Sequence, residues 1–312
     1  SLYRATQGRF TIDTDSKRAR STADGFELAY WLRQADAPGD RFLLLIHGAA
    51  SNHTRWSEFV DKTGLTARWN VIYPDMRGNG ESITRRKQGM PIWCSDLADL
   101  LDAEDATDAV VVGHSLGAQI AVQFAHRHPD RVRGLVLLDP VFQAALSGRQ
   151  LFVRRYRWLF KSLAAIVRAL NAIGVYRRHI DNRDLRELDE ETRRAIAGPE
   201  SLEAIAKRYG ALGPILRHMP IRNYILQGLE TVSPLPDPEG ISCPVLTLIS
   251  GGTTLANLEA NETEAQRFPN GEVVMLKANH WPLTETPDDV RQAIEDWIAR
   301  KFGDTPEPSA DN

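Results

Sequence analysis

The run Val110-Val111-Val112-Gly113-His114-Ser115-Leu116-Gly117 sets a serine between two glycines in the order G-x-S-x-G. An apolar strand pattern precedes it, and an amphipathic helix pattern follows (Leu116, Ile120 and Phe124, ending at Pro129). A hydroxyl is almost wholly neutral near pH 7, so serine becomes a nucleophile only when a base takes its proton. It must also stand clear of the backbone. A sharp strand-to-helix turn does this by forcing the serine into strained geometry and leaving room only for small neighbours, which Gly113 and Gly117 supply. The same turn puts the Leu116 N–H at a helix start, where it can face a developing oxyanion. A chance pentapeptide would lack this strand and helix; the context makes it a nucleophile elbow.

The elements that must position such a serine are legible around it. Short apolar runs at Phe26 to Leu32, Phe42 to Ile46, Val71 to Tyr73, Ala109 to Val112, Val132 to Leu138, Val245 to Ile249 and Val273 to Leu276 alternate with helical patterns. The helical patterns include Ile92 to Leu101, Leu116 to His128, Leu255 to Phe268 and Pro287 to Phe302. Continuous apolar strands between amphipathic helices predict an α/β fold with a mainly parallel sheet covered on both faces. In the last helix, Thr286 is placed to cap, Pro287 suits the first position, and Val290, Ile294, Trp297 and Ile298 form one stripe before Gly303. The alternation stops between about residues 142 and 240, which read as helices broken by glycines and prolines, an insertion on the sheet. The expected division is a core of 1–141 and 241–303, an insertion of 142–240 and a disordered tail of 304–312.

With 312 residues, 42% hydrophobic, 25% charged and a net charge of −3, the chain is neither low-complexity nor a nucleic-acid-coating protein. Its apolar runs fall far short of the roughly 20 residues that cross a bilayer. Two cysteines, Cys94 and Cys243, make neither a disulfide framework nor a zinc site, and no metal or other cofactor is expected. No charged-then-apolar signal segment opens the chain, which starts at Ser1, and a cytoplasmic location is the expectation.

Four motifs in order resemble the α/β-hydrolase fold family along nearly the whole length: Leu43 to Ala49 with its His47-Gly48 turn, Asp75-Met76-Arg77-Gly78-Asn79-Gly80-Glu81-Ser82, the elbow, and Ala278 to Pro287 around His280. The resemblance implies an eight-stranded sheet, a helical cap formed by the insertion, and a serine hydrolase acting on a carboxylic ester or lactone. It also implies Ser115 as nucleophile and His280 as its base, with backbone N–H groups of Ala49 and Leu116 binding the oxyanion. A serine there disfavours the epoxide hydrolase and dehalogenase chemistry that the fold performs with aspartate.

Of eight histidines, His280 follows the final strand and precedes the final helix, at the same sheet edge as Ser115. His126 and His128 end a helix, His47 suits a structural bond, and His53, His179 and His218 carry no supporting context. Asp75 and Arg77 are expected to fix their loop. His114 and Trp281 are candidate substrate contacts, whereas Trp56 is expected in the core. The triad acid departs from the commonest pattern: the position after the seventh strand where relatives carry Asp is Thr254. Asp139, ending the sixth strand, is the preferred acid, as in some branches of the family, with Glu259 or Glu262 as the fallback.

From Arg149 to Arg186 ten Lys or Arg face two Asp, interleaved with Phe152, Tyr156, Trp158, Phe160 and Leu163. A membrane-surface helix and steering of anionic substrates are two readings. The favoured one is a cap helix with its apolar face on the core and a solvated basic face. A small-molecule ester or lactone is the expected partner, and nucleic acid is not. Carbon–carbon bond hydrolysis and a non-enzymatic receptor on the same fold are the rival functions.

Overall fold

The computed structural model describes residues 15–196, 211–252, 257–279 and 281–303. Thr254, His280 and the tail 304–312 lie outside the described residues. Eight strands, β1 (Ser16–Ser21), β2 (Glu27–Arg33), β3 (Phe42–Ile46), β4 (Asn70–Pro74), β5 (Ala109–His114), β6 (Val132–Leu138), β7 (Val245–Ser250) and β8 (Gly271–Leu276), form one sheet in the order β1-β2-β4-β3-β5-β6-β7-β8. The β1–β2 and β2–β4 pairs are antiparallel, and every other pair is parallel.

The helices among the described residues are α1 (Ser57–Lys62), α2 (Met90–Ala103), α3 (Leu116–Arg127), α4 (Gly148–Arg155), α5 (Arg157–Ala172), α6 (Leu185–Ile196), α7 (Leu212–His218), α8 (Ile221–Thr231), α9 (Leu258–Ala265), α10 (Pro282–Glu285) and α11 (Pro287–Phe302). The continuous apolar runs have a direct cause. Leu44 and Ile46 of β3 and Val111 of β5 pack into one layer with α2 and α3, while Leu43, Leu45, Val110 and Val112 pack into the other with α1 and α11. Both faces of each central strand are therefore buried.

Three local expectations are corrected or extended. Strand β1, Ser-Lys-Arg-Ala-Arg-Ser, gives no apolar signal because it is a charged edge strand. Thr286 stands at the N-cap of α11 but does not cap it; its hydroxyl donates back to the Pro282 carbonyl at 3.4 Å, closing α10 instead. Gly303 does end α11, in the left-handed region at φ 79°.

The third correction concerns α5. Its apolar stripe does not lie on the core: Ala164 alone in the helix is buried, and Leu159, Leu163, Ile166 and Leu170 are each 41–57% exposed. The helix packs along α8, and that narrow contact is met by the side carrying Phe160, Ala164 and Val167. The stripe at 159, 163, 166 and 170 falls on a different side of the cylinder.

Helices α4 to α8 all lie between β6 and β7 in the chain, and two buried polar junctions tie them to the sheet's carboxyl edge. Arg55 Nη1 donates to Asp189 Oδ1 of α6 at 2.6 Å, and Thr284 of α10 donates to the same oxygen at 3.0 Å. On α8, Asn223 Nδ2 donates to the carbonyls of Gly78 (3.1 Å) and Thr84 (2.8 Å).

Candidate active site

Ser115 sits between β5 and α3 at φ 53° and ψ −116°, a conformation that costs a non-glycine residue energy and holds its side chain off the helix axis. Its own N–H is tied across the sheet to the Leu138 carbonyl at 2.9 Å. The two flanking glycines are sterically enforced. A Cβ on Gly113 would stand 2.2 Å from the Gly117 carbonyl oxygen, and one on Gly117 would stand 2.2 Å from the oxygen of Ile46. Strand β3, the turn and α3 thus interlock through backbone contacts that no larger residue permits.

Facing the elbow is the turn after β3. His47 is fully buried, its Nε2 accepts the Met76 N–H at 3.0 Å, and its Nδ1–H donates to the Gly48 carbonyl at 2.8 Å. Burial pushes its pKa below the usual histidine value, so the ring is a neutral structural brace, as expected. Ala50 is held at φ 50°, and its N–H donates to Gln227 Oε1 of α8 at 2.9 Å, while Gln227 Nε2 donates to Asn79 at 3.0 Å. Among the described residues, the N–H groups of Ala49 and Leu116 have no hydrogen-bond partner.

The Asp75 loop is structural in the manner anticipated. Asp75 Oδ1 accepts the His53 N–H (2.7 Å) and ring Nδ1–H (2.8 Å), and Oδ2 accepts the Glu81 N–H (2.8 Å). Arg77 is buried between Asp96 and Asp24, with Nη2 donating to them at 2.6 and 2.8 Å. His53, which carried no signal in the sequence, stacks on Trp31 at a ring separation of 3.3 Å.

Asp139 follows β6 at φ 47°, with its N–H bound to the Leu248 carbonyl of β7 at 2.9 Å. Ser250, the last residue of β7, donates twice to it: N–H to Oδ1 at 2.7 Å and Oγ–H to Oδ2 at 2.6 Å. Burial nevertheless raises the carboxyl to about 6, the Ser250 bonds opposing the rise and nearby Glu285 adding to it. Ser250 was not singled out in the sequence. Its pairing with Asp139 depends on the β6–β7 register, which no local pattern encodes.

His280 lies outside the described residues, but both neighbours are held by one carboxylate. Glu285 Oε2 accepts the Asn279 N–H at 2.8 Å, and Oε1 accepts the Trp281 N–H at 3.1 Å. Of the fallback acids, Glu259 is exposed and Glu262 half-buried on α9, and it is Asn261 between them that reaches the cavity.

These groups surround a cavity of about 400 Å³ at the carboxyl edge of the sheet, beneath α4 to α8. Ser115, Asp139, Ser250, Ala49, His114 and Trp281 all line it. Of the four non-glycine residues with positive φ among the described residues, three, Ala50, Ser115 and Asp139, lie on this one cavity. Strain concentrated in this way marks functional sites. Arg55, paired with Asp189, and Arg183 also line the wall, and Gln150, Tyr224 and Asn261 add polar groups. His114 is held neutral, its pKa pushed down to about 3 by burial and then by Arg55 and His47. Trp56 is fully buried in the core. No group of three or more His, Cys, Asp or Glu among the described residues is arranged to hold a metal ion.

A family model described as the alpha/beta hydrolase fold matches residues 42–287. The chain belongs to the α/β hydrolase fold family. Among solved structures, this hydrolase-fold chain is similar to a thermophilic esterase from Thermogutta terrifontis, with a TM-score of 0.65, 23% identity, and coverage of 92% of this chain and 99% of the other. Among curated proteins, an uncharacterized protein of Mycobacterium tuberculosis is 38% identical over 98 residues, 31% of this chain and 28% of that protein. The 2-hydroxymuconate semialdehyde hydrolase of Pseudomonas sp. strain CF600 is 32% identical over 149 residues, 47% of this chain and 52% of that one. The chain thus spans about a quarter to a half of these curated relatives.

Proposed function

We propose that the chain is a cofactor-independent serine hydrolase that cleaves a carboxylic ester or lactone through an acyl-enzyme on Ser115. Ser115 Oγ attacks the carbonyl carbon as His280 takes the hydroxyl proton. The carbonyl π pair moves onto oxygen, where the Ala49 and Leu116 N–H groups receive the charge. Collapse expels the alkoxide, which takes the proton from His280; water then attacks the acyl carbon while His280 accepts its proton, and collapse of this second adduct breaks the acyl–Oγ bond, returns the proton from His280 to Ser115 and releases the carboxylic acid. Each oxyanion donor of this type contributes roughly 100- to 1000-fold in rate. Asp139 is the carboxylate that orients the imidazole and stabilises its cation. Residues 142–240 act as a cap over a core of 1–141 and 241–303.

The observation that carries this reading is the strained Ser115 sharing one cavity with Asp139 and with Ala49, whose N–H, like that of Leu116 next to the serine, has no hydrogen-bond partner among the described residues. The assignment of His280 draws support from the other histidines. Among the described ones only His114 lines the cavity, and a ring whose pKa lies near 3 is too weak a base for this proton. The thermophilic esterase shares the fold. A second reading, hydrolysis of a carbon–carbon bond in a diketone, draws support from the similarity to the Pseudomonas semialdehyde hydrolase.

Turnover of a panel of p-nitrophenyl esters, lactones and a ring-cleaved dienoate tests both. The ester reading predicts turnover of esters or lactones that Ser115→Ala reduces by at least about 1000-fold with the fold intact by circular dichroism. Turnover confined to the dienoate would transfer the assignment to the second reading, and undiminished Ser115→Ala activity would end both.

A further inference from the structure

The insertion leaves a row of large apolar side chains in solvent. On α5 and just beyond it, Leu159, Leu163, Ile166, Leu170 and Ile173 follow one another at i, i+4, i+7, i+11 and i+14, each 41–75% exposed. Trp158 (64%) and, on α4, Phe152 (52%) extend this face. The stripe carries no charge of its own. Around it, residues 149–180 hold eight Lys or Arg and no Asp or Glu. Glu230 on α8 offsets part of the charge of Arg157 and Lys161, but Arg154, Arg155 and Arg178 have no carboxylate partner among the described residues.

We propose that the α4–α5 face docks on the surface of an anionic phospholipid bilayer, with the apolar stripe in the headgroup–acyl boundary and the arginines toward the lipid phosphates. The composition is that of a helix that lies in the interface: Trp, Phe and Leu on one side, Lys and Arg on the other. No helix among the described residues is long and apolar enough to cross a membrane, so the contact is peripheral. Charge selects lipid over a second copy of the chain, because two such faces would bring their cations together, whereas anionic headgroups neutralise them.

A second feature agrees. Where α5 ends, a cleft of about 310 Å³ runs between Val167, Leu170, Leu216 and Ile221, rimmed by Arg85, Arg177 and Arg222. The hydrogen bonds of these three guanidinium groups go to backbone carbonyls, and Arg222 Nε has no partner among the described residues. An apolar slot with unneutralised guanidinium groups at its rim suits an acyl chain and its phosphate. Gln150, at the start of α4, also lines the cavity of Ser115, so the docked face borders the candidate active site. The docking inference itself does not depend on the hydrolytic reading.

The test is flotation of the full chain with vesicles of phosphatidylcholine alone or mixed equally with phosphatidylglycerol, at low and high salt. Binding should be at least about tenfold stronger on the anionic vesicles and weaken with salt. Ile166→Asp with Leu159→Asp should abolish it, and Arg154→Glu with Arg155→Glu should weaken it by about tenfold, with melting temperatures unchanged because all four residues are exposed. Failure to bind anionic vesicles, or unchanged binding by the aspartate variant, would overturn the proposal. So would a solution dimer that the aspartate variant converts to a monomer, which would give the face to a second copy.

Discussion

Two opposed electrostatic demands meet at Asp139. The interior makes its charge costly and raises the carboxyl to about 6, while the paired donors of Ser250 stabilise the ionised form. An acid meant to hold an imidazolium must be ionised to do so. The sign follows: as pH falls through about 6 the carboxyl takes a proton, its attraction for the cation disappears, and kcat/KM falls. Replacing Ser250 by Ala deletes the Oγ–H donor to the charged form and leaves the backbone N–H. The carboxyl then rises further, and the acid limb of the kcat/KM–pH profile should move up by about one pH unit. Activity on the alkaline plateau should change little. An unmoved or lowered limb would remove Asp139 from the proton balance of the site.

At the scale of elements, the turn after β3 owes its shape to a helix far along the chain. Gln227 of α8 closes a bridge from the Ala50 N–H to Asn79, and so fixes the backbone next to the Ala49 N–H. Helix α8 belongs to the insertion, so the insertion holds the backbone beside the N–H that the proposed mechanism uses as an oxyanion donor. Gln227→Leu keeps the volume but leaves the Ala50 N–H and Asn79 Oδ1 without these partners. In the proposed mechanism the affected N–H is used most strongly in the transition state, so kcat should fall by about tenfold with KM nearly unchanged. Steady-state kinetics on a soluble ester reads the split. A rise in KM with unchanged kcat would mean that Gln227 shapes only the substrate pocket.

For the whole molecule, what could be read from the chain and what could not divide along a physical line. The central strands were legible because burial on both faces makes them continuously apolar, as in Leu43 to Ile46 and Val110 to Val112. The elbow was legible because its sterics dictate glycine at two fixed positions. Strand β1 was not, since a charged edge strand has no apolar face to announce it. Ser250, Gln227 and the Arg55–Asp189 pair were equally hidden, because each acts across 111 to 177 residues of sequence through strand register or helix docking. The amphipathic pattern of α5 was visible, but periodicity says that a helix has an apolar side and not what covers it.

All of this rests on Ser115 being an activated nucleophile. The direct measurement is reaction of the folded chain with a fluorophosphonate, followed by intact-mass and peptide analysis across pH. The account predicts one equivalent bound on Ser115, at a rate that declines as pH drops below about 6. A folded protein that stays unlabelled at Ser115, or that labels there no faster than a free serine peptide, would contradict it.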